Sequence, residues 1–511
     1  MAIDFTEPAP ISDVRHHAAA AQGNTEAASR AIVALSGALA GANGYDTILL
    51  RAAAGAGKSV QLRRMVLGAL ADPRCARVGV TAFQNRQIWP LARSLGAEFG
   101  PSQVCLLASR SVFFAVPAEV KNAATVVTVA KEIPEEARII LGTAHRLGAP
   151  KEYSRIKDHF GGESGEGDGG DGGDEKKPFD VLFVDEAWQM ALFLFAQVRG
   201  YAPIVVGVGD VGQLPPIDVA ANPFRGDPGY NPYRAWPTAY EKAPTTFSVD
   251  LPAVWRPHGN QIGLWRAFYR DWEQLDCVAA PADRALGLPP LDGPAHDVWS
   301  AVATGHPVLL EIAGLDEPEA PDIDNPLLEV VEDLLLPLLE GGVEVTGTNY
   351  QNDGAPGRRW TNHSSTPAED PFAVILATRN AAVDDAQALV DRLSDKLSLP
   401  PGVLVASTVD KWQGQTNRLT IAIHPLSGAD ALDDFNSQFG RLAVGCTRAT
   451  HGLLMVTRAG IDGLLAGAPA RPGTPLGEPG TRSLPRQTHQ RILASFSRGV
   501  LDAGRRDGTG D

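Results

Sequence analysis

The stretch RAAAGAGKSV, residues 51–60, decides the fold. Its end, Gly55-Ala56-Gly57-Lys58-Ser59-Val60, has the form of a glycine loop that cradles phosphate, G-x-x-x-x-G-K-[ST] in full. The first glycine of the full pattern falls at position 52, where this chain has Ala52. An alanine fits there if the local backbone is ordinary. Before the loop, TILLRAA (47–53) reads as a strand, and after it KSVQLRRMVLGALA (58–71) reads as a helix. Gly55 and Gly57 would let the backbone turn and aim N–H groups inward, where the helix N-terminus adds its positive end. Lys58 would reach the β- and γ-phosphates of a nucleotide, and Ser59 would ligate Mg²⁺.

Working outward, ARVGVTAF (76–83), ARIILGTA (137–144), FDVLFVDE (179–186) and PIVVGVGD (203–210) are β-rich runs ending in small or polar residues. Buried parallel strands flanked by helices read this way. The second half repeats the pattern with HPVLLEIA (306–313), FAVILATRN (372–380), GVLVASTVD (402–410), RLTIAIHP (418–425) and HGLLMVTR (451–458). Helices are predicted over 381–397 and 433–449. The fold class is therefore α/β, with an extension at 1–24, one lobe at 25–245, a second at 246–465 and a tail at 466–511. The stretch 348–371 reads as a long polar loop, and the tail as Gly/Pro-rich with one short basic helix. Residues 161–177 carry six carboxylates and read as a flexible acidic linker.

A chain of 511 residues exceeds what one core fills. No apolar run reaches the roughly 18 residues of a membrane span, so no membrane is expected. The start MAIDFTEPAPISDVRHH lacks the basic and apolar regions of a signal peptide. Cys75, Cys105, Cys277 and Cys446 have no metal-ligand spacing and read as reduced thiols of a cytoplasmic protein. The net charge of −15 argues against a basic coat protein but permits a local basic groove.

FDVLFVDEAWQM (179–190) delivers two adjacent carboxylates at a strand end. Asp185 would hold Mg²⁺ through water, and Glu186 would orient the attacking water. Gln189, one turn on, is placed to sense the γ-phosphate. In VVGVGDVGQLPPI (205–217), Gln213 follows a strand end and would report γ-phosphate loss to a neighbouring surface.

The loop, DEAWQ and GDVGQLPP, in this order, resemble motifs I, II and III of superfamily 1 helicases, closest to the RecD-like and nonsense-mediated-decay-helicase-like branches. VGVTAFQNRQI (78–88) and GTAHRL (142–147) resemble that family's strand-contacting motifs. LPAVWRPHGNQI (251–262) resembles the segment that opens the second lobe, and VILATRNAAV (374–383) the segment that follows it. STVDKWQGQTNRLTIAI (407–423) resembles motif V, and GRLAVGCTRATHGLLMV (440–456) motif VI. The resemblance covers most of 45–458. It implies two RecA-like P-loop NTPase lobes with ATP and Mg²⁺ between them, Arg256 at the γ-phosphate and Arg448 as an arginine finger. The nucleotide site would comprise Gly55 to Val60, Gln189 and Gly414. Single-stranded nucleic acid, DNA in preference to RNA, would meet Thr81, Phe83, Asn85, His145, Thr408 and Trp412. Trp255 is a further candidate base platform.

Two departures stand out. Gln415 occupies the place of a glutamate that helps hold the nucleotide sugar, and Gln22 is the sole weak match to the family's adenine-reading glutamine. The implied activity is ATP-driven movement along single-stranded nucleic acid, with protein partners, if any, on the tail or long loops. The competing reading is an ATP-gated switch or assembly subunit that acts on partner proteins without unwinding.

Overall fold

The apolar runs around the glycine loop are strands of one parallel sheet. These are β1 (Thr47–Ala52), β2 (Val78–Ala82), β3 (Val104–Leu107), β4 (Thr125–Val127), β5 (Ile139–Thr143), β6 (Val181–Asp185), β7 (Ile204–Asp210) and β8 (Thr246–Leu251). Their order across the sheet is β4-β3-β5-β2-β6-β7-β1-β8. Buried Val, Ile and Leu on both faces are what a parallel sheet covered by helices requires. The computed structural model describes residues 2–161, 177–212, 214, 216, 231–269, 272, 274–320, 323–433, 435–468 and 485–504. The acidic stretch 162–176, Gln213 and tail residues 469–484 and 505–511 lie outside the described residues.

Beyond β8 come a short parallel pair, β9 (Ala253–Val254) and β10 (Asp276–Cys277), and then β11 (Ala285–Gly287) and β12 (Val308–Ala313). They are followed by β13 (Glu344–Tyr350), β14 (Pro356–His363), β15 (Ala373–Ala377), β16 (Leu404–Thr408), β17 (Asn417–Ile423), β18 (Ala449–Arg458) and β19 (Ser497–Asp502). The second parallel sheet has the order β16-β15-β17-β18-β12-β19, and β11-β13-β14 form a small antiparallel sheet beside it. The molecule is thus α/β with two parallel sheets flanked by helices. One buried cluster runs from Ile48 and Val80 in the first sheet through Trp265 and Phe496 to Leu309 and Val374 in the second. Among the described residues, no helix is long and apolar enough to cross a membrane.

The structure departs from the sequence reading at edges and surfaces, and at the interior strand β3, whose four residues were too short a run to read. β8 pairs with β1, so the first sheet extends past residue 245. Its half-buried pattern gave too weak a signal for a strand. The stretch 348–371 is not a loop throughout, because β14 pairs antiparallel with β13. Every β14 residue except Trp360 is exposed, so apolar alternation is absent. The tail supplies β19, an edge strand parallel to β12. Of the helix predicted over 433–449, only Phe439–Cys446 is helical. At the N-terminus, Thr6 bridges Arg498, and helix α1 (His17–Leu39) begins inside the predicted extension.

Candidate active site

Three adjacent strands, β6, β7 and β1, bring their C-terminal ends together. β1 ends in register with Asp210, and Asp185 aligns with Val208. The glycine loop leaves β1 and opens helix α2 (Lys58–Ala71), with Gly57 as N-cap. Gly55 and Gly57 have φ of 75° and 90°, backbone that glycine adopts at little cost. A side chain on Gly55 would also collide with Arg256, whose Cβ lies 2.4 Å from the ideal position of the added carbon. Ala52 is different. It is the last residue of β1, paired with Asp210 and Leu251, so no glycine is required there.

Buried side chains clamp the loop from behind. Asn24 on α1 donates to Ala56 O (3.1 Å) and Ala253 O (2.8 Å) and accepts from Ala253 N (2.9 Å). Trp265 Nε1 donates to Ala54 O (2.9 Å). The Tyr269 hydroxyl accepts from Ala54 N (2.9 Å) and donates to Asp210 (2.8 Å). Trp255 N donates to Gly55 O (2.8 Å), and the Trp255 ring lies over Gly57. Arg256, expected on the second lobe, is therefore fixed at the loop of the first. Its guanidinium reaches across to Thr447 O (3.2 Å). Trp255, a candidate base platform by sequence, lines the cavity that the loop forms.

Lys58 Nζ lies 3.4 Å from Glu186 Oε1 and 3.5 Å from Asp210 Oδ2. Burial, and next the charge of Glu186, push the Asp185 carboxyl up to about 7, with Lys58 opposing the shift. Glu186 sits at φ 48° in left-handed backbone, and its Oε2 is buried without a hydrogen bond. Arg448, at the end of helix Phe439–Cys446, is fully buried. It donates to Thr447 Oγ1 (2.8 Å) and Gln415 O (3.5 Å), while its Nε has no partner among the described residues. Burial, with Arg256 next in effect, lowers its guanidinium to about 9. Burial also lowers Arg256.

These groups, Asp210 excepted, line one cavity of about 690 Å³ between the lobes. Gly55, Gly57, Lys58, Ser59 and Val60 form its floor, and Asp185, Glu186 and Arg256 its first-lobe wall. Gly414, Gln415 and Arg448 close it from the second lobe. Ala56 is buried beneath the loop, outside the lining. Gln189 is also buried outside it and accepts from Gln87 Nε2 (3.0 Å). Gln22 is exposed, bonded to Glu26 (2.8 Å), and does not reach the cavity. Gln213 lies outside the described residues.

The cavity fits a nucleoside triphosphate with Mg²⁺. Its floor has the two left-handed glycines that a phosphate cradle needs, and its walls hold the unpartnered Glu186 Oε2 and Arg448 Nε. Lysine, paired arginines, a hydroxyl and carboxylates are the donor set for polyphosphate and a hard cation.

The residues expected on a nucleic-acid track do not form one cluster. Thr81 is buried with its hydroxyl unpartnered. Asn85 begins helix α3 (Asn85–Phe99). Phe83 is half-buried beside the exposed His145, with ring centroids 5.8 Å apart. Trp412 is half-buried and donates to Asn417 Oδ1 (3.0 Å). Thr408 is buried and caps the one-turn helix Val409–Trp412. It also lines a second concavity of about 500 Å³ with Arg379, Lys411 and Phe435. The Arg379 and Arg441 guanidiniums lie 4.6 and 4.0 Å from the Phe435 ring.

Sequence reading missed Asp210 beside Lys58, the clamps Asn24 and Tyr269, and Arg86 in the cavity wall. Asp210 had a signal, a carboxylate ending a strand just as Asp185 does. Asn24 and Tyr269 stand 32 and 215 residues from their loop partners, beyond any local pattern.

No protein-family model matches the sequence, and no curated protein matches it significantly. Among solved structures the chain is similar to the PRRSV helicase, at 13% identity over 82% of this chain and 54% of that one, TM-score 0.36. It is similar to Arterivirus nonstructural protein 10 (helicase) in complex with DNA, at 14% identity over 83% and 64%, TM-score 0.37. It is also similar to the DUF1998 helicase MrfA bound to DNA, at 9% identity over 90% and 50%, TM-score 0.39. The chain thus spans only 50 to 64% of the length of these solved chains. The likenesses are distant, and the functional reading rests on this chain's own geometry.

Proposed function

We propose that the chain is an ATP-dependent nucleic-acid helicase or translocase of the superfamily 1 type, hydrolysing ATP between its lobes to move along single-stranded DNA. One observation carries this reading. Lys58, Asp185 and Glu186 from one sheet and Arg448 from the other line the same cavity.

In this reading the loop N–H groups and Lys58 hold the β- and γ-phosphates, while Ser59 and Asp185 would hold Mg²⁺. Bound Mg²⁺ would supply positive charge to offset that of the phosphates. Glu186 orients the water that attacks the γ-phosphorus as the bond to the ADP oxygen breaks. Arg256 and Arg448 stabilise the charge that spreads over the transferring group, and fixed charges of this kind supply most of the catalysis. An arginine finger is worth about 10³–10⁵ in rate. Because Arg448 and the loop belong to different lobes, turnover is tied to their relative position. Gln189, one residue removed from the lining, acts through Gln87 rather than by touching phosphate.

The experiment is ATP turnover and strand displacement on 5′- and 3′-tailed DNA and RNA duplexes, for wild type and Lys58→Ala. Wild type should turn over ATP and displace a strand, and the variant should do neither. Turnover in Lys58→Ala at the wild-type rate removes the loop assignment. The ATP-gated switch reading, which the net charge of −15 favours, predicts turnover indifferent to DNA and RNA.

A further inference from the structure

Arg86 is the second residue of α3, on the first lobe, and lines the 690 Å³ cavity. Its guanidinium crosses the cleft. Nη2 donates to Asp410 O (2.8 Å), and Nη1 donates to Lys411 O. Both carbonyls belong to the helix Val409–Trp412. In a helix of one turn the last carbonyls have no partner within the helix and must find one outside. Here the opposite lobe supplies it.

That short helix stands between the two concavities. The side chains of Thr408, Asp410 and Lys411 line the 500 Å³ groove. The residues that follow, Gln413 to Thr416, line the nucleotide cavity. Asp410 is also held within its own lobe, 3.6 Å from Arg441, whose guanidinium covers Phe435 in the groove wall. Separating the lobes would strip the carbonyl cap from the helix and leave a half-desolvated guanidinium without its acceptors. The cap is therefore conditional on the lobes being together.

We propose that Arg86 is a positioning residue that couples the nucleotide cavity to the groove on the second lobe, by capping the Val409–Trp412 helix only when the lobes are closed. This rests on the proposed function, with Thr408, expected to meet nucleic acid, placing the strand in that groove. The coupling is a ratio of affinities, and linkage requires the same ratio from either ligand.

The test is fluorescence anisotropy of a labelled oligo-dT with the full chain, with and without Mg²⁺ and a non-hydrolysable ATP analogue. Wild type should show a nucleotide-dependent change in oligonucleotide affinity of roughly 5- to 150-fold, the usual size of such coupling. Arg86→Ala should bring the ratio to within about twofold of one, and Arg86→Lys, which reaches one carbonyl, should keep part of it. Arg30→Ala removes a charge from the exposed face of α1, on the same lobe. Arg30 lines neither concavity, and its variant should keep the wild-type ratio. A wild-type ratio in Arg86→Ala, or equal loss in Arg30→Ala, overturns the proposal while leaving the ATPase reading intact. Wild type that binds no oligonucleotide in any nucleotide state overturns the nucleic-acid reading and this coupling together.

Discussion

The Tyr269 hydroxyl lies 2.8 Å from Asp210 Oδ1 and accepts the Ala54 N–H at 2.9 Å, linking the phosphate loop to the carboxylate beside Lys58. All three groups are buried. Tyr269→Phe leaves a backbone N–H and a carboxylate short of a partner. Such orphaned groups cost about 1–3 kcal/mol. Urea unfolding should show a loss in that range, and an unchanged midpoint would mean that the link contributes nothing.

The glycines of the loop are not equivalent to the alanine before it. Gly55→Ala forces left-handed backbone on a residue with a side chain and drives its Cβ into Arg256. ATP turnover should fall by an order of magnitude or more in this variant. Ala52→Gly, in an ordinary strand position, should leave turnover unchanged and cost about 0.5–1 kcal/mol of stability. Higher turnover in Ala52→Gly would show that the residue at position 52 limits the site after all.

Acid should destabilise the fold through its buried histidines. Burial lowers His258 and His489 to about 4 from 6.5, and also holds His424 and His451 well below the ordinary value. The unfolded chain then binds more protons than the folded one between pH 6.5 and 4, so stability falls as pH drops through that window. One such site is worth about 3 kcal/mol when the window has been crossed. Unfolding followed from pH 7 to pH 4 should show this slope, and His258→Gln should lessen it by one site's share. A flat profile for wild type would contradict the neutral burial of these rings.

Most of the buried parallel strands and the loop were legible in sequence because their signals are local, but β3, only four residues long, was not read although it is buried inside the sheet. Five apolar runs in each half mark the buried strands, and Gly55-Ala56-Gly57-Lys58-Ser59 marks the cradle. Edge strands were not legible. β19 is half-exposed and β14 almost wholly exposed, so neither has a period to read. The placement of Trp255 in the cavity wall was also hidden, since sequence cannot say which side of a cleft an aromatic faces. Arg86, within the segment 78–88, carried no signal of its own. Its meaning lies in carbonyls more than 300 residues away, which only the packed lobes bring to it.

The central claim is that the interlobe cavity hydrolyses ATP in response to a nucleic-acid strand. The direct test is steady-state ATP turnover against oligo-dT concentration, at low and high salt, for wild type and Arg448→Ala. Wild-type turnover should rise with oligonucleotide, the rise should weaken with salt as counterion release requires, and Arg448→Ala should lose about 10³-fold or more. Wild-type turnover indifferent to both DNA and RNA, or undiminished turnover in Arg448→Ala, would contradict the account.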